Sequence, residues 1–126
     1  MIQSIIIEDE KPSARRLNRM LLAHDINVKE MLHSVEESII WFNNNQHPEL
    51  IFLDIQLSDG LSFEIFENVD IKSAVIFTTA FDEYALKAFK LNSIDYLLKP
   101  IDTIELAEAL KKFENRISNL QATRLN

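Results

Sequence analysis

The chain has 126 residues, 47% of them hydrophobic, and a formal net charge of −7; this is the size and apolar content of one folded domain with its own core, and it argues against a disordered protein. With no cysteine and a single glycine, the sequence excludes disulfides, thiolate metal sites, cysteine nucleophiles and the glycine-rich phosphate loops of the G-x-G-x-x-G or Walker kind. The acidic balance disfavours non-specific binding to nucleic acid or to an anionic membrane and makes a small cation the better guest.

The start, Met1-Ile2-Gln3-Ser4, carries no basic leader, and no apolar run approaches the roughly 18 residues that span a bilayer. A soluble, unexported, cytoplasmic protein with no membrane partner is expected. His24, His33 and His47 are scattered, so no zinc-type cluster is evident. His33 and His47 have no acidic partner at ligand spacing and receive no role.

Apolar runs suited to strands alternate with helix-period segments five times, the pattern of a doubly wound βαβ domain. The first strand, about Ser4 to Ile7, ends in Glu8-Asp9-Glu10, and Pro12 opens a helix near its first turn, where a missing N–H costs least. That helix carries Ala14, Leu17 and Leu21 on one face and Arg15, Arg16 and Arg19 toward water. A weaker second strand lies around Asn27 to His33. Ser34-Val35-Glu36-Glu37 has capping-box spacing, which predicts a second helix with Val35, Ile39 and Phe42 inward.

After Pro48, the run Leu50-Ile51-Phe52-Leu53 leads straight into Asp54. Such a run suits a strand buried on both faces, with Asp54 at its carboxyl end, the edge where open parallel sheets bind ligands. Ser58-Asp59-Gly60 is a turn whose glycine supplies a positive φ. A short helix over Phe63 to Phe66, a strand over Ala74 to Thr78, a helix from about Glu83 to Leu91 and a strand over Asp95 to Pro100 follow. Asp102 and Glu105 start a final helix with Leu106, Leu110, Phe113, Ile117 and Leu120 as its stripe. Gln121 to Asn126 is polar, a frayed end or the start of a linker.

Parallel strands bring Glu8, Asp9, Asp54, Thr79 and Lys99 to one edge. Three carboxylates in one cleft repel unless a cation neutralises them, and Mg²⁺ suits oxygen ligands shared with a phosphate. A lysine and a threonine hydroxyl can hold phosphoryl oxygens, and an aspartate is a nucleophile for phosphate. The residue types suit phosphoryl transfer to a side chain.

On Glu8-Asp9, Phe52-Leu53-Asp54, Asp59-Gly60, Thr79-Ala80 and Lys99-Pro100, the chain resembles a bacterial two-component response-regulator receiver domain from about Ile2 to Leu120. The stretch from Phe77 to Phe89, with Asp95-Tyr96-Leu97-Leu98-Lys99-Pro100, resembles in particular receivers attached to LytTR-type DNA-binding domains. The resemblance implies a flavodoxin-like, CheY-like fold: a five-stranded parallel sheet of order 2-1-3-4-5 with five helices. It implies a receiver over 1–120, with 121–126 a tail or the start of a linker to an effector domain absent from this sequence.

The resemblance makes Asp54 the phosphoacceptor and Asp9 a direct Mg²⁺ ligand, with Glu8 acting on the ion mostly through water and the backbone carbonyl of Gln56 completing the protein ligands. Thr79 and Lys99 bind the phosphoryl oxygens, and Tyr96 is the aromatic that turns when Thr79 moves. Glu8 departs mildly from the family, where Asp is frequent at its position. The implied partners are a sensor histidine kinase and, on phosphorylation, a second copy of the chain through the face of the fourth helix, fifth strand and fifth helix. Tyr84, Lys87, Asp95 and Glu105 are candidates for that face, and DNA is reached only through the effector domain. The implied role is a phosphoacceptor in signalling, not an enzyme. Two alternatives stand beside it: a stand-alone receiver acting by protein docking, and a small phosphohydrolase with an aspartate nucleophile. The second needs an acid two residues after Asp54, where the chain has Gln56.

Overall fold

The computed structural model describes residues 1–81, Tyr84, Lys87, Ala88, Leu91 and 93–125, of which 119–125 through the backbone only. Five strands, β1 (Ile2–Ile7), β2 (Ile26–Leu32), β3 (Leu50–Asp54), β4 (Ala74–Thr79) and β5 (Asp95–Leu98), form one parallel sheet in the order β2-β1-β3-β4-β5. Between them run α1 (Lys11–Leu21), α2 (Val35–Asn44) and α3 (Phe63–Asn68), and a C-terminal helix (Thr103–Leu125) closes the chain. A two-residue hairpin, Gln56–Leu57 against Gly60–Leu61, follows β3. The fold and strand order agree with the sequence expectation.

The central strands carry uninterrupted apolar runs, Ile5–Ile7, Leu50–Leu53 and Ala74–Phe77, because their residues alternate between two cores. Ile5, Ile7, Ile51, Leu53 and Phe77 pack with Val35 and Phe42 of α2 and with Phe63 and Ile65 of α3. Ile6, Leu50, Phe52 and Ile76 pack on the other face with Ala14, Leu17 and Leu21 of α1 and with Leu106, Leu110 and Phe113 of the C-terminal helix. β2 is an edge strand with only Ile26 and Leu32 buried, which accounts for its weak apolar signal. Its register against β1 shifts between Ser4 and Ile5, where Ser4 faces Val28 and Ile5 faces Glu30.

The helix starts follow local chemistry. Pro12 lies in the first turn of α1, Ser34 Oγ accepts the Glu37 N–H at 3.0 Å, and Asp102 Oδ2 accepts the Ile104 and Glu105 N–H groups at 3.0 Å each. Gly60 has φ +149°, as its turn requires. Two expectations fare differently. The helix expected over Glu83 to Leu91 lies largely outside the described residues, where Lys87 and Ala88 are helical. The C-terminal helix runs to Leu125, past the point where the apolar stripe fades; the side chain of Leu120, expected in that stripe, lies outside those described.

Candidate functional site

The site forms where neighbouring strands end level with one another. Ile7 of β1 faces Leu53 of β3, so the next residues, Glu8 and Asp54, leave adjacent strands at the same height. Asp54 faces Thr78, and Thr79 faces Leu98. The Lys99 N–H then extends the ladder to the Thr79 carbonyl at 2.8 Å. From the far side, Arg16 of α1 donates to the Ile101 carbonyl at 3.2 Å, tying α1 to the loop that carries Lys99.

Side chains converge accordingly. Glu8 and Asp54 are each 4% exposed and Thr79 is fully buried. Lys99 Nζ donates to Asp54 Oδ2 at 3.0 Å and also to Glu8 Oε1. Glu8, Asp9 and Asp54 each offer a carboxylate oxygen within 4.8 Å of the others. Among the described residues these three acids face a single ammonium, and burial adds to their repulsion. Burial first, then the neighbouring Asp54 carboxylate, pushes the Glu8 carboxyl above its ordinary range despite Lys99. Burial and the Glu8 carboxylate do the same to Asp9. For Lys99 burial opposes the charge, but Glu8 and Asp54 outweigh it and hold the ammonium above its usual range.

A cleft of about 240 Å³ opens onto this cluster, with Asp9, Asp54, Gln56, Thr79 and Lys99 in its wall. Its acidic donors are all oxygen and crowded beyond what one lysine neutralises, which fits a hard divalent cation of the Mg²⁺ kind. Gln56 is exposed, and its side-chain amide donates to the Tyr84 hydroxyl at 3.1 Å.

Thr79 and Tyr96 meet through a third residue. Thr79 Oγ1 accepts the Phe81 N–H at 3.2 Å, and the Tyr96 hydroxyl donates to the Phe81 carbonyl. Tyr96 itself is half-buried against the core on the α2 and α3 side. The residues singled out in the sequence therefore come together at one edge. Two others were not foreseen there: His33 Nδ1 contacts the Glu8 carbonyl at 2.8 Å, and Asp59 accepts the Val35 and Glu36 N–H groups at 2.8 and 3.0 Å. The acid sought as a partner for His33 was the wrong kind of group, since its ring bonds a backbone carbonyl. The S-D-G turn and the capping box were each legible, but not that they touch.

Of the candidates for an output face, Glu105 and Lys87 are exposed and Tyr84 and Asp95 half-buried. Lys87 Nζ lies 4.5 Å from the Phe63 ring centroid, and Asp95 pairs with Lys112 at 3.0 Å.

Known proteins resemble this chain in sequence and fold. The family model described as a response regulator receiver domain matches residues 5–111. The sensory transduction protein LytT of Bacillus anthracis is 32% identical over 120 residues, 92% of this chain and 48% of LytT. The transcriptional regulatory protein BtsR of Escherichia coli is 36% identical over 123 residues, 94% of this chain and 50% of BtsR. This chain thus spans about half the length of these relatives. The response regulatory domain of mrkE from Klebsiella pneumoniae superposes with a TM-score of 0.83 over 94% of this chain and 99% of that one, at 24% identity, a likeness of fold. No helix among the described residues is long and apolar enough to cross a membrane.

Proposed function

This chain belongs to the response regulator receiver family, a signalling domain of two-component systems rather than an enzyme, and is related to LytT; from that premise we propose that Asp54 accepts a phosphoryl group from a histidine kinase. The observation that carries the reading is the buried Asp54 carboxylate, 3.0 Å from Lys99 Nζ and within 4.8 Å of two more acids. In the transfer, an Asp54 oxygen attacks the phosphorus of a phospho-imidazole in line. The O–P bond forms as the N–P bond breaks, and the imidazole leaves with the electron pair.

Lys99, whose ammonium already spans Glu8 and Asp54, takes over phosphoryl oxygens as their charge develops. Asp9, Asp54 and the Gln56 carbonyl would hold Mg²⁺, with Glu8 acting mostly through water, and the bound ion would supply positive charge to offset the carboxylates and the phosphoryl oxygens. The Thr79 hydroxyl donates to a phosphoryl oxygen.

The Phe81 backbone links that event to Tyr96, since its N–H is on Thr79 and its carbonyl on the Tyr96 hydroxyl. Moving Thr79 toward the phosphoryl group draws this loop and releases Tyr96 to turn inward, a shift between two populations. The readout is self-association through the face that carries exposed Leu98 and Ile104. The relatives' greater length supports a further effector domain, of LytTR type, through which DNA is bound and transcription regulated.

The test is intact-mass spectrometry after incubation with acetyl phosphate. Wild type should gain the mass of one phosphoryl group in Mg²⁺ and none in EDTA, and Asp54→Asn none in either. A gain that persists in Asp54→Asn overturns the assignment.

A further inference from the structure

The acid pair Glu8-Asp9 follows β1 and the Gln56 carbonyl follows β3, yet both loops are fastened to a third element, the start of α2. On one side the His33 ring donates to the Glu8 carbonyl at 2.8 Å, a contact that requires the proton on Nδ1. The Glu8 N–H is itself on the Leu32 carbonyl at 2.9 Å, so Glu8 is held at both its N–H and its carbonyl. The His33 N–H is fixed in turn by Glu37 Oε2 at 3.2 Å, and the Glu37 N–H by Ser34 Oγ at 3.0 Å.

On the other side Asp59 uses both carboxylate oxygens: Oδ1 takes the Val35 N–H at 2.8 Å and Oδ2 the Glu36 N–H at 3.0 Å. Asp59 is joined to Gln56 through the hairpin in which Gln56 faces Leu61 and Leu57 faces Gly60. The turn takes φ +149° at Gly60, a backbone conformation that glycine adopts and other residues rarely do. The helix that receives both loops is seated in the core by Val35 and Phe42.

We propose that the first turn of α2, acting through His33 and Asp59, is a positioning clamp that fixes the acid pair relative to the Gln56 carbonyl and thereby sets the pocket's affinity for its divalent cation. The inference rests on the reading above that these groups hold Mg²⁺. Neither His33 nor Asp59 is assigned a contact with the ion. Without the clamp, mutual repulsion of the carboxylates lets the two loops separate, and cation binding must first draw them back together.

The experiment measures the Mg²⁺ concentration that half-saturates acetyl phosphate labelling, together with the melting temperature in EDTA. Asp59→Ala and His33→Ala should each need about tenfold more Mg²⁺ and still label fully once it saturates. Asp59→Asn, which keeps one acceptor oxygen, should fall between. Phe42→Leu loosens the same helix from the core, so it should melt lower yet half-saturate as wild type does. Should Asp59→Ala fail to fold, Asp59→Asn carries the comparison. An unchanged Mg²⁺ requirement in folded Asp59 and His33 variants overturns the clamp and leaves Asp54 labelling intact. A wild type that does not label at any Mg²⁺ concentration overturns the phosphoacceptor reading, and the clamp with it.

Discussion

At Asp9 the pocket works against the stability of the fold. Its carboxyl and that of Glu8 sit above their ordinary values of 3.8 and 4.5. Between the unfolded and the raised folded values the native state binds more protons than the unfolded chain, so stability falls as pH rises through that window. Without a cation, burial and their mutual repulsion both oppose the charged form of these acids. Asp9→Asn should therefore raise the melting temperature in EDTA, by about 2–4 °C, as expected of up to about 1 kcal/mol in a half-exposed group of a domain this size. It should also lose most of the further rise that Mg²⁺ gives wild type. Thermal melts with and without EDTA check this, and a lower melting temperature for Asp9→Asn in EDTA contradicts it. Glu8, Asp9, Asp54, Thr79 and Lys99 were legible because each ends a strand or lies just past one, and parallel strands end at a common edge. The triangle of Lys99 with Glu8 and Asp54 was not, because it depends on where a flexible side chain comes to rest.

For the elements, the start of α2 shows what a local code conveys. Ser34 and Glu37 announced the helix, but Glu37 Oε2 reaches the N–H of His33, one residue before the cap, rather than that of Ser34. Asp59 adds a second cap from 24 residues away, which no local pattern contains. Burial is the largest single influence and opposes the Asp59 charge, but the Val35 and Glu36 N–H groups, with its own backbone N–H, together outweigh it and hold its carboxyl below the usual 3.8. A depressed folded pKa stabilises above the unfolded value and loses that stabilisation as pH falls through the folded one. Asp59→Ala should thus cost about 1 kcal/mol near neutral pH, with the gap to wild type narrowing only below about pH 4. Urea unfolding across pH measures it. A gap that is constant down to pH 2, or that opens only on the alkaline side, contradicts the account.

Across the whole molecule, the alternation of apolar strands and helices was enough to give a doubly wound parallel sheet with two-sided burial, since a strand apolar along its length needs a core on each face, while the strand order came from the resemblance to receivers. The edge strand β2 was least clear, because one face and one edge meet water and its pairing with β1 slips by a residue. The surface follows from the same topology: β5 closes the other edge, and it leaves Leu98 and, at the start of the C-terminal helix, Ile104 exposed, the latter by 69%. If this face joins two phosphorylated copies, Ile104→Glu should leave labelling unchanged and abolish the shift to dimer seen by sedimentation. A dimer that survives the substitution places the interface elsewhere. The central claim, that Asp54 carries the phosphoryl group, is tested most directly by its location. The labelled protein is reduced with borohydride, which converts an acyl phosphate to an alcohol, and its peptides are sequenced by mass spectrometry. The account predicts homoserine at position 54 and nowhere else; homoserine at position 9, or an unreduced Asp54 in fully labelled protein, contradicts it.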